Sequence, residues 1–168
     1  MQATWRRSLC KLGRFRGVMT GALLAASVIG CSSHAGVDAA ATTAALDAAT
    51  ARYSGFVLAM AGDSIAAMYT PDGEMLGTGM HAIQSPDSIR HFLGAFTNVK
   101  VDSETMVRDA ITVGDTESIV WGRYAQTATV NGQPPVHVSG RFVTQWVRRP
   151  GESWKIRRML TQPAPVNR

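Results

Sequence analysis

The sequence predicts an α+β domain: three helices with a small strand among them, then a meander of long antiparallel strands forming a curved sheet under the helices. Three observations predict it. Up to Asn98 the apolar residues recur at helical spacing; from Val99 onward they recur with a period of two. The later segments are joined by turn chemistry, Gly114-Asp115, Asn131-Gly132 and Pro150-Gly151, and Asn-Gly is among the strongest hairpin signals. Finally, 168 residues of which 45% are hydrophobic suffice for one core but are short for two ordinary domains. The same figures exclude a disordered chain and a disulfide-rich miniprotein.

The N-terminus reads as an address, not as part of that fold. Met1 to Gly17 is basic, and Val18 to Ile29 is an apolar run too short to span a bilayer permanently. The run ends Val28-Ile29-Gly30-Cys31. It resembles the lipobox of bacterial lipoproteins, whose cysteine is lipidated and becomes the first mature residue. That resemblance implies export and anchoring of the chain to a membrane through Cys31. Ser32 and Ser33 follow, not Asp, which resembles retention at the periplasmic face of the outer membrane. Arg6-Arg7-Ser8-Leu9-Cys10-Lys11 also resembles a twin-arginine motif, but lacks its Ser and Phe. The export route therefore stays open.

This address accounts for the charge. The chain carries 17 basic and 12 acidic residues, a net charge of +5. Arg6, Arg7, Lys11, Arg14 and Arg16 lie in residues 1–30 with no acid among them, so residues 31–168 are balanced at 12 of each sign. The basicity is no argument for nucleic-acid binding, and no aromatic interleaving supports it. Cys10 and Cys31 are the only cysteines, and both fall in or at the end of the leader. The mature domain then has no thiol for a disulfide or a metal site.

The expected organisation is a signal peptide over 1–30, an Ala/Thr-rich tether over 31–44, one domain over 45–163 and a tail over 164–168. The first helix is clearest from Leu46 to Met60, where Leu46, Tyr53, Phe56, Val57 and Met60 share a face, and Ala61-Gly62 stops it. Asp63 is positioned to cap a short second helix with Ile65, Ala66, Met68 and Tyr69 as its apolar set. Pro71-Asp72-Gly73 should end that helix in a turn, with a brief strand from Glu74 to Gly79. Ser85-Pro86-Asp87 starts the third helix: a capping hydroxyl, a proline suited to the first turn, and an acid at the positive dipole end. Its stripe is Ile89, Phe92, Leu93 and Phe96. Long strands are expected at Val101–Val113, Ser118–Val130, Val136–Arg149 and Ser153–Thr161.

Several stretches resemble one family. They are Gly62-Asp63 with Tyr69-Thr70-Pro71-Asp72, Ile89-Arg90-His91-Phe92, Gly122-Arg123-Tyr124, the run from Gly140-Arg141 to Arg148-Arg149, and Trp154-Lys155-Ile156. In order and spacing they are similar to the SnoaL-like group of the nuclear-transport-factor-2-like superfamily, over about Ala45 to Pro163. The group's usual Gly before the third helix is Ser85 here, and Gly73 stands where Ala follows its Asp. The resemblance implies a cone-shaped fold with a pocket at its mouth, commonly dimeric through the outer sheet face. It does not imply one activity, because members include isomerases, dehydratases, cyclases, binding modules and assembly domains.

Ketosteroid isomerases of this superfamily place a carboxylate base where this chain has Gly77, which cannot move a proton. Their phenolic donor aligns with Gly55, two residues from Tyr53. A dehydratase would need an Asp/His pair, and His81, His91 and His137 are available but scattered. Arg123 matches an arginine that the kinase association domains place in the cavity, where a guanidinium would favour a carboxylate ligand. Strand parity alone does not choose its face, so a surface or ion-paired arginine is the alternative. Trp121 shares its parity, and Thr144 shares a face with Phe142 and Trp146. Tyr53, Tyr69, His81, Trp121, Arg123 and Thr144 are thus the candidate ligand-binding residues. No metal or cofactor is expected. The balance favours a binding domain for a small, partly apolar ligand, acidic if Arg123 faces it. A cofactor-free lyase, isomerase or hydrolase and a dimeric assembly module are the alternatives. Arg148-Arg149 and Arg157-Arg158 read as charged strand ends that discourage edge pairing.

Overall fold

The computed structural model describes residues 38–165. The expected signal peptide, Cys31 and the beginning of the tether lie outside the described residues. In chain order the elements are α1 (Ala39–Leu58), α2 (Gly62–Ala66), β1 (Tyr69–Gly77), β2 (Ile83–Gln84), α3 (Pro86–Gly94), β3 (Val99–Thr112), β4 (Glu117–Val130), β5 (Val136–Val147) and β6 (Lys155–Pro163). The strands form one sheet in the order β2-β1-β6-β5-β4-β3. The expected meander is present as β3 to β6, antiparallel throughout. β1 adds to it in parallel, beside β6, and β2 is a short edge strand that the sequence reading left out.

α1 begins earlier than the sequence suggests. Asp38 caps it, its carboxylate accepting the Ala41 N–H at 2.9 Å. Residues 39–44, expected as tether, are therefore helical. Thr42, Leu46, Ala49, Thr50 and Tyr53 form its buried stripe at three- and four-residue spacing. Small residues such as Ala44 and Ala48 also occupy the exposed side, so the stripe's upper half is faint in the sequence. Met60 adopts a left-handed backbone with φ of 52° and turns the chain out of the helix.

Two expectations around α2 are corrected. Ala61, not Asp63, occupies the capping position. Asp63 instead accepts from the Arg90 guanidinium at 2.7 Å and ties α2 to α3. Tyr69 opens β1 and does not belong to the helix, and Pro71-Asp72-Gly73 lies within β1, not in a turn. The turn residues are accommodated because the register against β6 shifts between Tyr69 and Glu74. At Gly73 a Cβ would stand 2.9 Å from both the Thr70 carbonyl oxygen and the Tyr69 Cβ, so only glycine fits. α3 begins as expected: the Ser85 hydroxyl accepts the Ser88 N–H at 3.3 Å, and Pro86 follows in the first turn.

The core lies between the helices and the inner sheet face, with Leu46, Ile89, Phe142, Trp146, Ile156 and Met159 fully buried. Trp154 joins it, and the Arg148 guanidinium lies 4.6 Å over its ring. β3 carries two irregularities, between Val101 and Ser103 and between Arg108 and Ala110. Each inserts one residue and reverses the alternation. As a result Val101, Glu104, Met106, Arg108 and Ile111 all face the helices. Their cross-strand partners Ala128, Gln126, Tyr124, Gly122 and Val120 mark the same face of β4.

Candidate functional site

The helices do not close completely on the sheet. A cavity of about 260 Å³ remains between them. α1 supplies Tyr53 and Val57, the turn after it Met60, and α2 Gly62 and Ile65. α3 and the segment after it add Leu93 and Phe96. The sheet contributes Met75 from β1, Val99 and Val101 from β3, and Gln126 and Ala128 from β4. The walls are mainly apolar, and the only polar side chains on them are those of Tyr53 and Gln126.

Next to Gln126, though not on the cavity wall itself, stands a carboxylate that sequence alternation does not reveal. Glu104 is the direct cross-strand partner of Gln126, so both project from the same face of the sheet. It is half-buried, and no hydrogen bond or ion pair to it is formed among the described residues. Other carboxylates nearby are engaged. Asp47 receives a two-pronged bond from Arg108 at 2.7 and 2.9 Å, and Asp102 accepts from Lys100 and Thr129 at 2.6 and 2.7 Å. Those bonds hold Asp47 and Asp102 below the usual carboxylate range. Burial without such a bond pushes the Glu104 carboxyl up to about 7.

Tyr53 is 8% exposed and Tyr69 3%. Burial pushes the Tyr53 phenol up to about 12, with Glu104 adding to the rise and the neighbouring Tyr69 hydroxyl opposing it. Burial and the Tyr53 hydroxyl raise Tyr69 further. The Tyr69 hydroxyl also donates to the Met159 sulfur at 3.7 Å. The two phenols therefore stay protonated donors. Burial and then Glu104 raise Tyr124 as well, which places it beside the same carboxylate.

Of the six candidates from the sequence, Tyr53 lines the cavity, and Tyr69 is buried in the core without lining it. Thr144 is buried in the core between Phe142 and Trp146, away from the cavity walls. His81 is exposed in the loop between β1 and β2. Trp121 and Arg123 are on the outer face of the sheet, opposite in direction to Tyr124 and Gln126. Arg123 donates there to Asp109 at 2.9 Å. The face left open by parity is thus the solvent face, and the charged residue next to the cavity wall is the acid Glu104, partner of Gln126, not a guanidinium. His91 is exposed on α3, and His137 bonds Thr127 at 2.8 Å on the outer face. Gly77 lies at the end of β1 and, having no side chain, holds no base at that place. Among the described residues no group of three or more His, Cys, Asp or Glu side chains is arranged to hold a metal ion.

A family model described as SnoaL-like domain matches residues 38–160. No curated protein matches the chain. Among solved structures, a ketosteroid isomerase-like protein from Erwinia carotovora atroseptica superposes with a TM-score of 0.65 at 19% identity, over 73% of this chain and 96% of that one. A conserved protein from Planctomyces limnophilus gives 0.68 at 12% identity, over 76% and 99%. An NTF2-like protein with a cystatin-like fold from Novosphingobium aromaticivorans gives 0.61 at 13% identity, over 74% and 82%. At these identities the likeness is one of fold.

Proposed function

Because the chain belongs to the SnoaL-like domain family, whose fold houses both binding proteins and enzymes, we propose that it binds a small, mainly apolar molecule in the cavity between its helices and its sheet. One observation carries this reading: a 260 Å³ space walled by Val57, Ile65, Leu93, Val101 and Ala128, with Tyr53 and Gln126 as its only polar side chains. Such a space gains from removing apolar ligand surface from water, while the polar side chains fix orientation. Arg123 supplied the argument for an acidic ligand, and it stands outside the cavity, so that preference is dropped.

The test is titration with N-phenyl-1-naphthylamine, a neutral apolar fluorophore. The full chain should enhance its emission with saturation at one site. Ala128→Trp, which fills the cavity from β4, should weaken binding at least tenfold. Absence of enhancement, or equal binding by the filled variant, would overturn the reading.

A second reading is a cofactor-free lyase, isomerase or hydrolase. Glu104 favours it, since a carboxyl that titrates near 7 beside phenolic donors suits proton transfer at neutral pH. Turnover of a bound compound, abolished in Glu104→Gln with binding retained, would establish it over simple binding.

The domain is further proposed to act as a homodimer at the periplasmic face of the bacterial outer membrane, tethered through lipidated Cys31. The layout of residues 1–31 supports the anchor, and apolar residues on the outer sheet face support the dimer. Metabolic labelling with palmitate should mark the chain and fail to mark Cys31→Ser. An unlabelled wild type or a labelled variant would remove the anchor.

A further inference from the structure

We infer that the cavity's ligand carries an amine, and that Glu104 is the residue that selects it. This rests on the proposed binding reading and narrows it to a chemical class: an apolar body with an ammonium head.

The argument starts from what surrounds Glu104. From α1 the Tyr53 phenol lies within reach of its charge, and on β4 Gln126 is its direct partner with Tyr124 the next inward residue. On its own strand the cation two inward positions away is Arg108, which is committed to Asp47 through both prongs of its guanidinium. No cation among the described residues pairs with Glu104. The group is partly withdrawn from water and makes no hydrogen bond among the described residues; it does not itself line the cavity, but its direct cross-strand partner Gln126 does. A carboxylate partly withdrawn from water gains from a cationic partner. An ammonium group entering with a ligand supplies the missing charge and up to three donors. A carboxylate ligand would instead meet a like charge, and an alcohol would offer one neutral donor.

The rise of the Glu104 carboxyl to about 7 adds a signature. At pH 6 the empty site holds mostly neutral Glu104. Pairing with an ammonium favours the ionised form. Amine binding at pH 6 should therefore expel a proton from the protein, whereas alcohol binding should not.

The experiment is isothermal titration calorimetry of the full chain with octylamine, 1-octanol and octanoate. At pH 8 octylamine should bind at least tenfold more tightly than the other two. Glu104→Gln should erase that preference while still binding 1-octanol. At pH 6, titrations in buffers of different ionisation enthalpy should show up to one proton released per octylamine bound by the wild type, a readout that needs no variant. Equal affinity for octylamine and 1-octanol, a preference that survives Glu104→Gln, or no proton release would overturn the inference and leave the apolar-cavity reading standing. If none of the three compounds binds, both fail.

Discussion

Glu104 and Arg123 show at the level of single residues what a sequence can and cannot give. Counting alternately from buried Val101 places Ser103 and Thr105 inward and Glu104 in solvent. The irregularity after Val101 reverses that count, so the acid turns in. No residue around Asp102 announces a bulge, so alternation alone puts the carboxylate beside Gln126 in solvent. Arg123 is the converse case: its parity was legible but not its face, and the structure turns it outward. Tyr53 needed neither, because its place on the α1 stripe is fixed by helical spacing. Glu104 also carries a stability prediction. A carboxyl with its folded pKa raised from 4.5 to about 7 binds a proton more tightly in the folded state. Its contribution therefore falls as pH rises from about 4.5 to 7, and is unfavourable above that window. Chemical denaturation of Glu104→Gln should show a gain over wild type at pH 8 that disappears by pH 4. A variant no more stable at pH 8 would mean that the site does not desolvate the acid. Arg123→Gln should behave as an exposed ion-pair loss, costing at most about 1 kcal/mol and leaving probe affinity unchanged.

Among the elements, legibility followed capping and turn chemistry more than hydrophobicity. α3 was readable because Ser85-Pro86-Asp87 satisfies and orients its first turn, and the β4–β5 turn because Asn131 and Gly132 both take left-handed backbones, with φ of 51° and 69°. α1 was half-read. Its Ala/Thr beginning lacks bulky apolar side chains, yet Asp38 caps it and Thr42 is buried there. Asp38→Ala should cost about 1 kcal/mol by thermal or urea denaturation, the usual loss of an N-cap. No change would mean that residues 39–44 add nothing to the helix. β1 was misjudged because Pro71-Asp72-Gly73 normally signals a turn, whereas here a register shift carries those residues through a strand. Gly122 shows why small residues recur on the inner face of the sheet. It pairs with Arg108 at the second irregularity of β3, where a Cβ would collide with the Val107 carbonyl. Gly122→Ala should destabilise by about 1–3 kcal/mol, the typical cost of forcing an extra carbon into a filled place. It should also weaken the Arg108–Asp47 pair that links β3 to α1.

At the scale of the whole domain, the helices cover one face of the sheet, and among the described residues no element packs on the other. On the bare face Trp121 pairs directly with Val143, Val143 with Leu160, and Leu160 with Leu76. This makes one apolar row running across β4, β5, β6 and β1. Its members are well exposed: Trp121 at 37%, Val143 at 41% and Leu160 at 45%. A sheet face meant for water usually sets polar residues in such rows. Here the polar groups flank the row instead, as Arg123 with Asp109 on one side and Arg158 with Glu74 and Gln145 on the other. An apolar strip with a charged rim is the make-up of an association surface. In a two-fold dimer the same strip would meet its own copy, so one substitution is felt twice. The proposed homodimer therefore predicts that Val143→Lys shifts the chain from dimer to monomer in sedimentation equilibrium at tens of micromolar. The circular dichroism and the affinity for an apolar probe should stay as in wild type, because Val143 lies on the face opposite the cavity. A wild-type monomer under those conditions would remove the dimer. A lysine variant that still dimerises would move the interface off this face.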